Sequence, residues 1–170
     1  MHQSRPSDAV DLILQQWAKE RPDLDVSPMG VIGRIGRCSA LLRRELLPVF
    51  ERFGLSAWEF DVLATLRRSG APYCLAPTAL FSALMITSGT MTRQLQQLEA
   101  AGWISRTPNP NDARSLLVQL TPAGLALIDQ AVEAHVDNEA RILEALPATI
   151  RVQLNEGLSA LLAILEPVQK

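Results

Sequence analysis

The sequence predicts a mainly α-helical protein with one small β-hairpin, and three observations support this fold class. Hydrophobic residues make up 48% of the 170 residues but aromatic residues only 5%, so aliphatic side chains fill the core. Several stretches repeat apolar residues every three or four positions, the period of a buried helix face. Two short stretches, WISRT and SLLVQLT, have the composition of strands. This length suits one domain with helical extensions.

Two helices are predicted in the first third of the chain. Residues 7–20 form a short amphipathic helix that ends before Pro22, with Val10, Ile13, Leu14 and Trp17 on one side. A long helix follows from Met29 to Phe53, contains Pro48 and ends at Gly54. Its apolar seam consists of Val31, Ile35, Cys38, Leu42, Leu46, Val49 and Phe53.

Three shorter elements are predicted next. Ser56 caps a helix that runs to about Arg68. Tyr73 to Leu75 form a short strand after an SGAP turn. Pro77 and Thr78 then open a short helix that extends through Leu84.

The stretch ITSGTMTRQLQQLEAAGW, residues 86–103, predicts a helix with two different faces. Met91, Leu95 and Leu98 repeat at i, i+4 and i+7 and form a buried stripe. On the opposite face lie hydroxyls, amides and one guanidinium: Thr90, Arg93, Gln94 and Gln97. An ordinary surface helix would carry lysine and glutamate there. Thr87 or Ser88 can cap its start, and Gly102 suits its end.

The last part of the chain returns to helices after the hairpin. The strands WISRT and SLLVQLT are joined by the polar loop PNPNDAR. Thr121 caps a helix that runs to about Leu146. Pro147 separates it from a final helix whose apolar stripe is too long for a small neighbouring domain to cover, which indicates packing against a partner chain.

We therefore divide the chain into four parts: a helical extension (1–28), a long linking helix (29–54), a central domain (55–121) and C-terminal helices (122–170). Helix, short helix, turn, helix and hairpin form a winged helix-turn-helix. The fold class is thus mainly α with a small β-wing, flanked by N- and C-terminal dimerisation helices.

The polar helix fits duplex DNA, because a helix of about 10–12 Å diameter enters the roughly 12 Å major groove. Gln94 and Gln97 suit adenine, Arg93 suits guanine or phosphate, and the Thr90 methyl suits thymine. Phosphate contacts are expected from Thr78, Ser88, Thr92 and the helix N-terminus. The alternative for each of these residues is an ordinary solvated surface.

The hairpin tip and the charge distribution favour the same partner. Arg114 can reach the minor groove and Asp112 can hold its guanidinium, although a simple turn contact is the alternative. Residues 31–114 hold ten basic and six acidic side chains, a surplus of four positive charges. Residues 122–170 hold three basic and seven acidic side chains, a surplus of four negative charges. Positive charge thus collects around the predicted DNA surface.

From Met29 to Ala145 the chain resembles the MarR-type transcriptional regulators. The similar motifs are WEFDVLATL, APTALFSALM, SGTMTRQLQQLEAAGWISR, the loop PNPNDARS and LVQLTPAG. The resemblance implies a homodimeric repressor that binds palindromic operators in double-stranded DNA and is released by small ligands, often aromatic acids or other anions. The wing departs from the family at Ala113, where many members carry a second basic residue.

The added N-terminal helix resembles the branch of urate-responsive regulators. There a tryptophan, an aspartate and two arginines line the ligand pocket, which implies Trp17, Asp61, Arg93 and Arg106 here. Such a pocket favours a planar anion, either urate-like or an aromatic carboxylate, through ion pairing and stacking. Arg93 can serve this ligand or the DNA.

Several alternatives remain at the sequence level. Cys38 and Cys74 suit either a packed core or a redox sensor of the same fold, although the reactive cysteine of the hydroperoxide-sensing branch aligns near Ile32 instead. A winged-helix module that contacts only proteins is a second alternative. No catalytic motif, metal cluster, cofactor motif, signal peptide or membrane span is recognisable, so we expect a soluble cytoplasmic protein and not an enzyme.

Overall fold

The computed structural model describes residues 7–84, 91–110 and 112–166. The elements are α1 (Ala9–Glu20), α2 (Ser27–Glu51), α3 (Ala57–Arg68), β1 (Cys74–Leu75), α4 (Pro77–Leu84), α5 (Met91–Ala100), β2 (Ile104–Asn109), β3 (Asp112–Leu120), α6 (Pro122–Leu143) and α7 (Ala148–Leu165). The sequence prediction of a mainly helical protein with a small antiparallel sheet is confirmed.

The chain divides into two units, and the first spans Met1–Glu45. Within it, the Asp8 carboxylate accepts hydrogen bonds from the backbone N–H groups of Val10 and Asp11 and so caps α1. The Arg34 guanidinium of α2 lies 2.9 Å from the Asp8 carboxylate and 2.6 Å from that of Asp11. Val10 packs beside Gly33, where the missing side chain gives it room. Charge and close packing thus join α1 to α2.

The second unit, Leu46–Lys170, contains the main hydrophobic core. Helix α3 lies at its centre and contacts α4 on one side and α6 on another. Ser56 and Glu59 form the capping box that starts α3. The fully buried large side chains are Val62, Leu63, Leu66, Leu80, Leu98, Ile104, Val118 and Ile128. Because these residues come from α3 to α6 and the sheet, one core fixes the whole winged region.

The sheet has the order β1-β3-β2 and is antiparallel throughout. Its hairpin is longer than the sequence predicts, since strand pairing continues to Asn109 opposite Asp112 with an irregularity after Pro108. Two physical reasons explain the difference. Strand β2 is an edge strand, where a proline is tolerated, and Asn109 Nδ2 donates a 2.8 Å hydrogen bond to Ser115 Oγ across the strands.

Large apolar side chains remain exposed on the helices at both ends of the chain. Helix α7 contains no buried residue, and on it Ile150, Leu154, Leu158 and Leu162 are each at least 40% exposed. Leu12 and Ile13 of α1 and Val31 and Ile32 of α2 are similarly exposed. Among the described residues, no helix is long and apolar enough to cross a membrane.

Candidate nucleic-acid interface

Helix α5 has the two faces that the sequence predicts. Leu95 and Leu98 are 3% and 0% exposed and belong to the core. Arg93 and Gln97 are exposed on the other side, and Gln94 is half-buried between the faces. The helix ends at Ala100, and Gly102 in the turn that follows has a φ of 78°, the left-handed conformation that glycine favours. Burial of two leucines therefore anchors a helix whose outer surface is polar and weakly charged.

The structure places the other predicted DNA contacts only in part. Thr78 is exposed at the start of α4. Ser88 and Thr90 lie outside the described residues. Thr92 lies in α5 and Asp112 and Arg114 lie in β3, but their side chains also fall outside the described part. Asp112 and Arg114 therefore belong to a strand and not to the predicted loop.

Gln96 is an exposed residue of α5 that the sequence analysis missed. The helical period predicts a polar face at positions three and four apart, opposite a continuous apolar stripe, and Gln96 falls outside that face. In the described part of α5 only Leu95 and Leu98 are buried, so the outer surface is wider than that pattern implies. The outer surface therefore contains a third amide beside Gln94 and Gln97.

Two arginines at the end of α3 support the helix-turn-helix. Arg68 Nη2 donates a 3.0 Å hydrogen bond to the carbonyl oxygen of Ala83, near the end of α4. Arg67 Nε lies 2.6 Å from Asp129 Oδ1 on α6, and its guanidinium stands 5.0 Å from the centroid of the Tyr73 ring. The first contact joins α3 to α4, and the second joins α3 to α6. No sequence pattern identified either pair.

Arg106 connects the wing to α5. Its Nε lies 3.2 Å from Glu99 Oε2, close enough for an ion pair although the N–H direction does not make a hydrogen bond. Its Nη2 is buried and has no hydrogen-bond partner among the described residues. A buried N–H donor without a partner costs free energy. An anion that accepted a hydrogen bond from Nη2 would remove this cost, so the guanidinium can bind an anionic ligand.

Asp61 lies on the exposed side of α3. Desolvation by the surrounding protein raises the pKa of its carboxyl above the ordinary value, and the charges of Arg68 and His135 oppose this rise. None of the hydrogen bonds or ion pairs of the described residues joins Asp61, Arg93 and Arg106 to one another. Trp17, the fourth predicted ligand residue, belongs to the first unit and is 42% exposed.

The cysteines are both free thiols, with Cys38 exposed and Cys74 half-buried. Cys38 and Val31 are exposed, so these two positions of the predicted seam on α2 are not buried among the described residues. Among the described residues there is no group of three or more histidine, cysteine, aspartate or glutamate side chains that can hold a metal ion.

Comparison with known proteins identifies relatives for most of the chain. The MarR family model matches residues 55–116. The HTH-type transcriptional regulator PecS of Dickeya dadantii is 55% identical over 134 residues, which cover 79% of this chain and 81% of the relative. These relatives are transcriptional regulators and not enzymes, and they lend no support to the redox-sensor or protein-interaction alternatives.

Solved structures share the fold, and two of them contain a bound partner. A mutant of MarR from E. coli complexed with operator DNA has a TM-score of 0.67 and 29% identity, and the alignment covers 82% of this chain and 99% of that chain. NadR in complex with 4-hydroxyphenylacetate has a TM-score of 0.59 and 25% identity over 76% of this chain and 89% of that chain.

Proposed function

Because this chain belongs to the MarR family of winged helix-turn-helix transcriptional regulators, we propose that it is a homodimeric repressor. In this proposal it binds a palindromic operator and is released by a small anionic, aromatic ligand. The observation that carries the DNA-binding part is the outer surface of α5, where Arg93, Gln96 and Gln97 are exposed above two buried leucines.

The chemistry of this surface fits base recognition. Glutamine amides donate and accept hydrogen bonds at once, which matches the edge of adenine in the major groove. Arginine matches guanine or a phosphate, and the positive surplus of residues 31–114 favours the phosphate backbone. The fold is also shared with a MarR structure that contains operator DNA.

Dimerisation is supported by the apolar side chains that the single chain leaves exposed on α1, α2 and α7. Exposed apolar helix faces of this kind are typical of an interface between subunits. Two identical subunits place two recognition helices about 34 Å apart, one turn of DNA, which is what a palindromic operator requires.

The effector part of the proposal rests on Trp17, Asp61, Arg93 and Arg106. Arg106 offers a buried N–H group that no described residue accepts, and Asp61 is a partly desolvated carboxyl. Trp17 supplies an exposed aromatic surface for stacking. A ligand with one carboxylate and a planar ring satisfies these groups, and the related fold of NadR binds 4-hydroxyphenylacetate. Arg93 serves either this ligand or the DNA.

Fluorescence anisotropy on duplex DNA from upstream of the chain's own gene tests the DNA-binding part. We expect sequence-specific binding that weakens as salt increases, and a loss of about fivefold or more in affinity for Gln97→Ala, because one bidentate base contact contributes about 1–3 kcal/mol. Gln130→Ala, an exposed amide on α6, is the matched control. Binding without sequence preference, or equal effects of the two variants, contradicts the proposal.

Thermal shifts with a panel of aromatic acids and purines test the effector part. Trp17→Ala and Arg106→Ala are expected to weaken the response to the ligand but to leave operator affinity nearly unchanged. Glu99→Gln is the matched control, because it breaks the same ion pair and leaves the Arg106 guanidinium in place. If Glu99→Gln lowers the response as much as Arg106→Ala does, Arg106 is structural and not a ligand contact.

A further inference from the structure

The buried side of α6 changes character along its length. Gly124, Ile128 and Ala131 follow one another at i, i+4 and i+7 and are buried in the core. The same spacing leads next to His135 and then to Asn138, which is only 6% exposed. A buried amide costs free energy unless it is hydrogen-bonded, so an apolar residue would be the simpler continuation.

The buried side chain of Asn138 forms a hydrogen bond with Arg141. Its Oδ1 accepts a 2.6 Å hydrogen bond from Arg141 Nη2, one turn further along α6. The buried amide therefore fixes the direction of a guanidinium that is itself exposed. This hydrogen bond restricts the orientation of the Arg141 guanidinium more than that of an arginine side chain without a partner.

A groove of about 290 Å³ opens at this point between α6 and the C-terminal end of α2. It is lined by Arg52, Ala134, Asp137, Asn138 and Arg141. Its volume lies just below the roughly 300–1,000 Å³ range of ligand sites, so it suits a compact molecule.

Among the residues that the structure describes, the two guanidinium groups of the groove have no carboxylate partner. Neither Arg52 nor Arg141 forms an ion pair within the described ranges of the chain. Arg52 stands 6.0 Å from the centroid of the Phe53 ring, and Arg141 binds the neutral Asn138 amide. A guanidinium matches a carboxylate in geometry and charge, and two of them around one groove attract an anion.

We propose that this groove is a binding site for a small monocarboxylate, separate from Trp17, Asp61, Arg93 and Arg106. The carboxylate binds between Arg52 and Arg141, and its apolar part lies against Ala134. Asp137 at the same groove repels a second negative charge, which limits the ligand to one carboxylate. The inference stands on the groove alone and does not depend on the proposed DNA-binding or effector function.

Calorimetric titration of the full chain with benzoate at constant ionic strength tests the site, with neutral benzamide as the comparison. We expect saturable binding of benzoate only, and a loss of about five- to tenfold in affinity for Arg52→Gln and for Arg141→Gln, each of which removes a charge-assisted hydrogen bond. Asp137→Asn is expected to tighten binding, because it removes a repelling charge. All titrations are repeated with Arg106→Gln present, which removes the contribution of the proposed effector site.

Two further variants separate binding from folding and from net charge. Asn138→Leu continues the apolar stripe of α6, so the chain is expected to stay folded but to bind benzoate several-fold more weakly. Arg151→Gln on α7 removes the same charge outside the groove and is expected to leave binding unchanged. The proposal is overturned if Arg52→Gln and Arg141→Gln bind benzoate as the parent chain does. It is also overturned if benzoate does not bind and Arg141→Gln instead changes the oligomeric state.

Discussion

Asp61 is a carboxyl whose surroundings oppose its charge. Desolvation raises its pKa in the folded chain, and the positive charge of Arg68 and the influence of His135 reduce that rise only in part. Because the folded pKa exceeds the unfolded one, the folded state binds the proton more readily. Stability is therefore lost as pH rises from the unfolded pKa through the folded pKa.

Asp61→Asn is accordingly expected to raise the melting temperature at pH 7, because the amide carries no charge to desolvate. The gain should shrink as the pH is lowered below the unfolded pKa of aspartate, about 3.9. Thermal unfolding of both proteins between pH 7 and pH 3 measures the difference. Asp129→Asn serves as the control with the opposite sign, since Asp129 pairs with Arg67. A lower melting temperature for Asp61→Asn at pH 7 would contradict this account.

Gly124 is a residue whose lack of a side chain is required by packing. A Cβ atom at this position would overlap the backbone carbonyl of Trp103, at the start of the wing. Gly124→Ala is expected to destabilise the fold by about 1–3 kcal/mol, because backbone must move to make room. Gly157→Ala, in an open position of α7, should instead stabilise by roughly 0.5–1 kcal/mol. Chemical denaturation distinguishes the two signs, and similar effects would refute the role of Gly124.

At the scale of single elements, the helix-turn-helix depends on how α3 holds α4. The hydrogen bond from Arg68 to the Ala83 carbonyl fixes the end of α4, the helix that precedes α5 in the chain. Arg68→Gln is expected to weaken operator binding by about three- to tenfold, the effect of one charge-assisted hydrogen bond. Arg67→Gln loses the same charge but breaks a contact to α6 instead. Equal losses of DNA affinity in a gel-shift titration would attribute the effect to charge alone.

Local sequence signals were sufficient for most elements. Ser56 and Thr121 are the helix caps that the sequence predicts, and Gly102 follows the end of α5 as expected. The wing differed, because its length depends on a hydrogen bond between the side chains of Asn109 on β2 and Ser115 on β3, which no local sequence pattern indicates. Likewise, no periodicity in the sequence predicts that Arg106 pairs with Glu99 or that Asn138 is buried. Such pairs follow from tertiary packing, which a single sequence does not encode as a local motif.

At the scale of the whole molecule, the exposed apolar face of α7 predicts the assembly. Leu158→Glu places a charge in the middle of that face and is expected to dissociate the proposed dimer, measured by analytical ultracentrifugation. Operator affinity should fall roughly a hundredfold or more, because two linked recognition helices bind far better than one. Glu156→Gln, two residues away, is the control and should leave assembly intact. A dimer that persists in Leu158→Glu would exclude α7 as the interface.

The proposed effector site is the part of the function that sequence reasoning reaches least directly. Its four predicted residues derive from a family resemblance, and they are divided between the two units of the chain. Spacing along a sequence identifies which residues share a helix face, as it did for Leu95 and Leu98. It does not identify which residues from distant elements surround one ligand.

Thr121 has a further consequence for how the winged region moves. Its hydroxyl oxygen accepts the N–H of Gly124 at the start of α6 and lies 2.7 Å from the carbonyl oxygen of Gly102, directly after α5. One side chain thus occupies the junction between α6 and α5, the proposed DNA-binding helix. We therefore expect a change in the inclination of α6 to displace the end of α5 as well, because movement of α6 alone would break the hydrogen bonds of Thr121.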